Sequence, residues 1–497
     1  MREFGRCLAV RGTTLAAGAV LLVACSLRGP REEPPSEASA GRRRTVLATE
    51  YDDRRAGEDQ EREAIAELGL LRDEAIQAYV QELGVRLVAQ APERSFRWRF
   101  RVVESWTPNA FALPGGAVFV SRGLLALSGS EDELANVLGH EIAHAALRHA
   151  SSRDAFVRST PFAFGWYGAG LVAAYARDQE READRSGQKI AAAAGYDPGA
   201  MARFLRTLDQ EERLELGAAR LPSFLETHPA TTERMASTST RGQHLPWHAS
   251  AGIAHDRADY LRRLDGLVVG ADPAEGMFQG SRFLHPDLGF TLRFPEGWRL
   301  VNTSRMVAAT SPERDARFAL ESAGPGDDPK VAAGAFLAGE ARQIGARIDD
   351  ARSLEVNGLP AYQVRGTALS PQGPVAGEVT WIAYGGSVYR ISVTTSVYAA
   401  ARYAGRARAT MMSFRPITPE ERDAFQVERM RVVEARAGDD LLAISRRHGN
   451  AWDVDRTAVL NGELPTVRFE AGEPVKIVVS EPYRPSRAEP HPSPPGS

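Results

Sequence analysis

The sequence predicts a multidomain α+β chain. A mainly helical domain with a small edge sheet is expected over residues 51–240, an α+β sheet domain over 281–416, and a small strand–helix–helix–strand module over 430–482. Three observations predict this layout. At 497 residues the chain is long enough for about three domains. Apolar residues recur mostly at helical spacing up to residue 240, whereas strand-like runs outnumber helical ones from Phe283 onward. A stretch rich in Gly, Asp and Pro, residues 266–280, separates the two regimes. Hydrophobic content of 43% and charged content of 25% are ordinary for globular protein. At a net charge of −3, neither the basic footprint of a nucleic-acid partner nor a strongly acidic one is visible, and no nucleic-acid partner is expected.

Residues 1–24 read as an export signal peptide. Arg2, Arg6 and Arg11 supply a positive end, and Leu15 to Ala24 is an apolar core too short to span a bilayer as a stable helix. The core ends in Leu22-Val23-Ala24-Cys25, which resembles the bacterial lipobox; that resemblance implies cleavage before Cys25 and acylation of its sulfur. A plain signal peptide ending near a cysteine, or an uncleaved anchor, are the alternatives. Ser26 follows where aspartate is absent, which for lipoproteins of this type implies the periplasmic face of the outer membrane. Removing residues 1–24 takes out three arginines and one glutamate and moves the net charge from −3 to −5. Cys7 and Cys25 are the two cysteines, so no disulfide is expected in the mature monomer. Residues 25–50, rich in Pro, Glu, Ser and Arg, read as a lipidated disordered tether.

From Asp52 to Ala91 the spacing is helical, through Ile65, Leu68, Leu71, Ile76, Tyr79, Val80, Leu83 and Leu87. This region is expected to pack beside the helix described next. Phe96–Val103 alternates as a strand, and Phe111–Ser121 reads as another, broken at Pro114-Gly115-Gly116. Glycine there lets a second backbone approach closely; an ordinary hairpin turn is the alternative.

The run His140-Glu141-Ile142-Ala143-His144 carries the chemistry. Its histidines are four residues apart, a little over one helical turn, so both imidazoles leave one face. Glu141 stands within reach of a water held beside them. That is a two-histidine metal site with a carboxylate base, the zinc-peptidase pattern. A helix with two incidental histidines is the alternative. Against it, Ser130 and Glu133 form a Ser-x-x-Glu capping box, so a helix starts there. Leu134, Val137, Leu138, Ile142, Ala145 and Ala146 then form an apolar stripe, with the histidines on its flank.

A catalytic zinc needs a third protein ligand. Glu180-Arg181-Glu182-Ala183-Asp184 opens an alanine-rich helix running to Ala194, stopped by Gly195, with Asp197-Pro198 as the cap and first-turn proline of the next. Glu180 is the expected third ligand. Asp184, on the same face, is expected to accept the N–H of a ligand histidine and fix its tautomer. A solvated charged helix face is the alternative, since Arg181, Glu182 and Arg185 share the run.

Four stretches in order now carry a family resemblance: Asn109–Leu125 (NAFALPGGAVFVSRGLL), HEIAH, EREAD, and Thr227–Arg234 (THPATTER). They resemble the zinc metallopeptidase family of the type I CAAX prenyl endopeptidases, HtpX, the Oma-type protease and the periplasmic β-barrel assembly-enhancing protease, over about residues 50–240. The soluble periplasmic branch is most similar. The resemblance implies a zincin-like fold with one Zn2+ per chain. It implies that the strand holding Asn109, Ala110 and Phe111, with Gly115 and Gly116, borders the cleft and pairs with an extended substrate as an antiparallel strand. It implies that His228 approaches the zinc, blocking the water position or helping to stabilise the tetrahedral intermediate; a solvent-exposed turn histidine is the alternative. Arg234 matches the family arginine of the same motif, as a supporting residue.

His149, five residues after His144, is expected to turn away from the metal as a surface or capping histidine. Residues 161–176 are apolar but short of the ~20 a membrane span requires; a lid over the site and a membrane contact stand as the two readings. Residues 237–251 read as a polar loop, Asp256–Leu264 as a helix, and 241–280 as helix plus linker. In the α+β domain, strands are expected at Phe290–Phe294, Arg317–Glu321, Ala361–Gly366, Glu378–Tyr384 and Ser387–Thr394, and helices at Val331–Ile344 and Tyr398–Ser413. It faintly resembles the PsbP-like fold, and a binding or spacing role is expected. Gly438 to Leu442, Gly449, Leu460-Asn461 and Ala471-Gly472 before Val475–Val479 resemble LysM, a βααβ peptidoglycan-binding module, although Asp440 stands where threonine is usual. A degenerate packing domain is the alternative. Residues 483–497 read as a disordered Pro-rich tail.

The expected function is zinc-dependent endoproteolysis in the bacterial cell envelope, with misfolded or stalled periplasmic and outer-membrane proteins as substrates. Zinc on His140, His144 and Glu180 would acidify water, Glu141 would take its proton and pass it to the leaving amine, and His228 would help steady the oxyanion. An assembly chaperone or scaffold with a latent protease site, and a peptidoglycan-associated hydrolase, are the competing classes.

Overall fold

The structure is a computed structural model that describes residues 50–149, 177–214, 223–229, 232–370 and 373–485. The export signal, Cys25, nearly all of the tether, the apolar run 161–176 and the Pro-rich stretch from 486 lie outside the described residues.

Two helices, α1 (Glu50–Leu68) and α2 (Glu74–Val88), cover the region expected to be helical. Gly69 breaks it at φ +67°, and Asp73 caps α2 by accepting the Ile76 N–H at 3.0 Å. Ile76, Tyr79, Val80, Leu83 and Leu87 of α2 are buried, the stripe read from the sequence. They pack on a three-stranded sheet of β1 (Arg99–Val103), β2 (Ala110–Ala112) and β3 (Ala117–Ser121), in the order β1-β3-β2. Strand β1 is parallel to β3 and begins at Arg99 rather than Phe96, because its partner register starts at Ala117. The strand expected over 111–121 is a hairpin, β2 antiparallel to β3.

The turn of this hairpin corrects one expectation. Gly115 and Gly116 do admit a close backbone, but it belongs to the protein's own first helix. A Cβ on Gly57 would lie 1.8 Å from the Pro114 carbonyl oxygen, and one on Gly115 would lie 2.8 Å from the Arg54 Cα. Gly116 is closed by Phe96 and Trp98. The edge strand β2, with Asn109 before it, is buried throughout.

Helix α3 (Arg122–Leu127) leads into α4 (Glu131–Ala146), which carries the two histidines. Ser130 caps α4 by accepting the Glu133 N–H at 3.3 Å, while the Glu133 carboxylate takes the Gly129 N–H at 2.7 Å instead of closing the box on Ser130 itself. The buried Glu131 carboxylate, in the first turn, accepts from Tyr79 Oη, Tyr196 Oη and the Ile253 N–H at 2.7, 2.8 and 2.7 Å. Helices α5 (Arg177–Ala193), α6 (Ala200–Leu214), α7 (Phe224–Thr227), α8 (Thr232–His244) and α9 (Arg257–Arg263) complete the first domain. Two boundaries differ from expectation. Helix α6 starts at Ala200 because Asp197 accepts the Gly199 N–H in a turn. Residues 237–244 are helical, not loop: the buried stripe of α8 is Arg234, Thr238 and Gly242, which no apolar periodicity reveals.

The α+β domain opens at Met277, earlier than Phe283. Strands β4 (Met277–Gln279), β5 (Arg282–His285) and β6 (Phe290–Arg293) form one sheet with β14 (Arg415–Pro416). A seven-stranded antiparallel sheet, in the order β10-β11-β12-β13-β9-β8-β7, is built from β7 (Arg299–Asn302), β8 (Met306–Thr310), β9 (Ala316–Pro325), β10 (Arg347–Val356), β11 (Leu359–Ser370), β12 (Gly373–Tyr384) and β13 (Ser387–Ser396). Helices α10 (Pro329–Ala338), α11 (Glu340–Gln343) and α12 (Ala400–Met412) stand where helices were expected.

After α13 (Pro419–Asp423), the chain ends in β15 (Gln426–Glu434), α14 (Leu441–His448), α15 (Val454–Asn461) and β16 (Pro474–Pro482), the strand–helix–helix–strand order read from the sequence. It begins at 426 rather than 430. Tyr483 is anchored, its hydroxyl donating to Asp287 at 2.9 Å, so the expected loose tail does not begin there. Met430, Trp452, Leu460 and Val478 of this module join the hydrophobic core of the first domain. The fully buried Lys476 donates from Nζ to the carbonyls of Ala126, Leu127 and Ser128 at 2.8, 3.3 and 3.1 Å, at the end of α3.

Candidate metal centre

Helix α4 presents His140, Glu141 and His144, and all three are fully or almost fully buried. Helix α5 crosses it and presents Glu180 and Asp184, four apart on one face. The turn after α7 brings in His228, whose N–H donates to the Phe224 carbonyl at 2.7 Å and whose ring stacks on Phe224 at 4.5 Å. Ser223 and Glu226 form a reciprocal capping box that fixes this short helix.

The polar tips converge. His140 Nε2 is 3.0 Å from His144 Nε2 and 3.3 Å from His228 Nδ1. Glu180 Oε1 is 3.3 Å from His144 Nε2 and 2.9 Å from His228 Nδ1, and Oε2 is 3.5 Å from His140 Nε2. Ligands about 2.0–2.1 Å from a tetrahedral zinc stand about 3.3–3.4 Å from one another, so this spacing suits such an ion. Chemistry agrees: three imidazoles and one carboxylate are zinc donors, and all four residues are buried. Both carboxylate oxygens of Glu141 are buried without a hydrogen-bond partner among the described residues, which is costly unless something polar joins them. The residues present therefore fit a metal ion with water beside it.

Arg234, on α8, holds the carboxylates. It donates to Asp184 Oδ2 from Nε at 2.7 Å and to Asp184 Oδ1 from Nη2 at 2.8 Å, and its Nη1 meets Glu180 Oε2 at 2.8 Å. Asp184 Oδ1 lies 3.0 Å from His140 Nδ1, on the side of the ring away from the cluster. Burial alone would raise the Glu180 carboxyl, but His228 and Arg234 beside it hold it well below the carboxylate range. Burial, with His140 beside it, pushes His144 well below its ordinary value, so this ring is neutral and its lone pair is available. Burial would lower His140 too; Asp184 and Glu180 outweigh it and hold the imidazole at about 9.

The structure thus brings together His140, Glu141, His144, Glu180, Asp184, His228 and Arg234. It leaves Gly115 and Gly116 against α1. It also places a residue that sequence reasoning set aside. His149 is buried, with Nδ1 3.1 Å from His144 Nδ1. A helical wheel misplaces it because α4 ends at Ala146 and Arg148 adopts φ +61°, swinging the chain back under His144. The left-handed position of Arg148 leaves no signature in the sequence.

Residues 71–241 match Peptidase family M48. The mitochondrial metalloendopeptidase OMA1 of Schizosaccharomyces pombe is 31% identical over 201 residues, 37% of this chain and 59% of that protein. The β-barrel assembly-enhancing protease of Escherichia coli is 30% identical over 203 residues, 35% of this chain and 41% of that protein. The chain therefore spans about half the length of these curated relatives. Among solved structures, PsbP of Synechocystis aligns at 13% identity with a TM-score of 0.24, over 30% of this chain and 98% of that one. The stretch that matches Peptidase family M48, residues 71–241, contains all seven residues that converge here, from His140 to Arg234.

Proposed function

We propose that the protein is a zinc-dependent endopeptidase of the bacterial cell envelope that cleaves misfolded or stalled periplasmic and outer-membrane proteins. The observation that carries this reading is the convergence of His140, His144, Glu180 and His228 beside a buried Glu141 carboxylate that accepts no hydrogen bond among the described residues. The named β-barrel assembly-enhancing relative supports the envelope setting. No helix among the described residues is long and apolar enough to cross a membrane.

His140, His144 and Glu180 would hold the zinc. A zinc ion there supplies a Lewis acid and brings the pKa of water towards ~7. Glu141 takes the water's proton and passes it to the leaving amine. Asp184 keeps the His140 ring oriented, and Arg234 keeps both carboxylates in place. A substrate strand pairs along Asn109, Ala110 and Phe111 once room is made beside the buried edge of β2.

His228 gives a specific reason to read the described state as latent. Its Nδ1 stands among the ligand atoms, 3.3 Å from His140 Nε2, in the place a water would take, and its Nε2 is 3.5 Å from Glu141 Oε1. Swung aside, the same ring would face the developing oxyanion.

Two attachments complete the proposal. Acylation at Cys25 tethers the chain to the outer membrane, and the C-terminal βααβ module contacts peptidoglycan in the manner of LysM. The test of the central reading is casein cleavage by the purified chain, with and without chelator, beside Glu141→Gln. Cleavage lost in both the chelated and the substituted samples is expected; equal cleavage in all three would overturn the assignment.

A further inference from the structure

We propose that His149 is a positioning residue for the metal site: it accepts the Nδ1–H of His144 and passes its own Nε2–H to Glu182, fixing His144 in the tautomer that turns its Nε2 lone pair to the ion. This rests on the metal reading above.

A neutral imidazole has one N–H and one lone pair, so a ring that gives one nitrogen to a metal keeps a proton on the other. When that ring is buried the proton needs an acceptor. For His140 the group nearest that nitrogen is the Asp184 carboxylate, with Oδ1 3.0 Å from Nδ1. His144 is completely buried, and its Nδ1 faces another ring nitrogen, His149 Nδ1, at 3.1 Å. The ring planes are 69° apart with centroids at 5.1 Å, an edge-on approach that brings nitrogen to nitrogen. Two N–H groups cannot share that contact. Because His144 Nε2 lies in the ligand cluster, 3.3 Å from Glu180 Oε1, the proton belongs on His144 Nδ1 and the lone pair on His149 Nδ1. The remaining proton of His149 then sits on Nε2, where Glu182 Oε2 stands 3.4 Å away.

The two ligand histidines are therefore held differently. His140 leans on a carboxylate that is itself clamped by Arg234. His144 leans on a neutral ring, which leans on a carboxylate whose side chain is 56% exposed. One run, EREAD, supplies the ligand Glu180, the His140 support Asp184 and the outer end of the His144 support, Glu182.

The experiment is competition for Zn2+ between the full chain and a chromophoric chelator, together with the imidazole N–H resonances of the zinc-loaded protein. His149→Phe keeps a ring and removes the acceptor; its zinc affinity is expected to fall by about 10- to 100-fold, in line with the loss of other such supports. His149→Asn places an amide oxygen where Nδ1 stood and is expected to recover most of the affinity. Glu182→Gln is expected to cost less than His149→Phe. The wild type is expected to show a slowly exchanging Nδ1–H on His144. A folded His149→Phe that binds zinc as tightly as the wild type overturns the relay and leaves the metal site standing. If that variant does not fold, absence of the protected His144 Nδ1–H in the wild type overturns the relay. A wild type that binds no zinc overturns the metal reading itself, and the relay with it.

Discussion

Gly139 and Gly187 meet backbone to backbone where α4 crosses α5. A Cβ on Gly139 would lie 2.8 Å from the Gly187 carbonyl oxygen, and one on Gly187 would lie 2.7 Å from the His140 amide nitrogen. The helices can thus approach closely beside His140. Glu180, Asp184 and Gly187 share one face of α5, so the close crossing is what lets two short carboxylates reach two histidines on the neighbouring helix. Gly187→Ala tests this. Helix propensity alone favours alanine by about 1 kcal/mol. The added methyl nevertheless strikes backbone, and overpacking of this kind costs roughly 1–3 kcal/mol. The expected outcome is a lower unfolding temperature and weaker zinc binding. A variant more stable than the wild type with unchanged zinc affinity would show the crossing to be slack.

His228 supplies the second prediction. His228→Ala removes one nitrogen from the ligand cluster and opens the fourth position. Zinc should bind less tightly, yet at saturating zinc casein cleavage should rise if the described state is latent. Unchanged zinc affinity would remove His228 from the ligand set, and a fall in cleavage would make it an oxyanion partner rather than a block.

Arg234 is buried against two carboxylates, 2.8 Å from Glu180 and 2.7 Å from Asp184. Arg234→Met leaves Glu180 and Asp184 charged in the interior, a change that typically costs about 3–5 kcal/mol. Chemical denaturation of the zinc-free protein should report that loss. Zinc should restore part of it by neutralising Glu180. A loss no larger than that of an exposed arginine would contradict the clamp.

Lys476 gives a dependence on pH. Burial, with Arg257 adding to it and Glu133 opposing it, lowers the ammonium from its ordinary value to about 7. The unfolded chain keeps this proton up to about 10.5. Between those values the unfolded state binds more protons than the folded one, so stability rises with pH and is lost as pH falls through 7. Measured at pH 7 and at pH 9, the stability of the wild type relative to Lys476→Met should be greater at pH 9. A difference independent of pH would contradict the assignment.

The convergence of His140, His144, Glu180 and Asp184 was more legible in the sequence than the architecture around it, for physical reasons. HEIAH and EREAD declare themselves because ligand geometry on a helix demands four-residue spacing, and Ser130 marks where the first of those helices begins. The hairpin glycines were legible as a close approach but not as to what approaches, since nothing local ties Gly115 to Arg54. Helix α8 was hidden because its buried face is an arginine, a threonine and a glycine. Strand β10 was hidden because it is a sheet edge with nearly every residue exposed, so no alternation is imposed on Arg347–Val356. The attachment of the C-terminal module through Lys476 joins residues some 350 apart, and a lone lysine in a strand carries no local sign of it.

The most direct test of the whole account is X-ray absorption at the zinc edge on the purified, zinc-loaded chain. The account predicts one zinc with a shell of about four nitrogen and oxygen donors near 2.0–2.1 Å and an outer scattering pattern from imidazole rings, all of it lost in His140→Ala. A wild-type spectrum without imidazole scattering, or one that His140→Ala leaves unchanged, would contradict it.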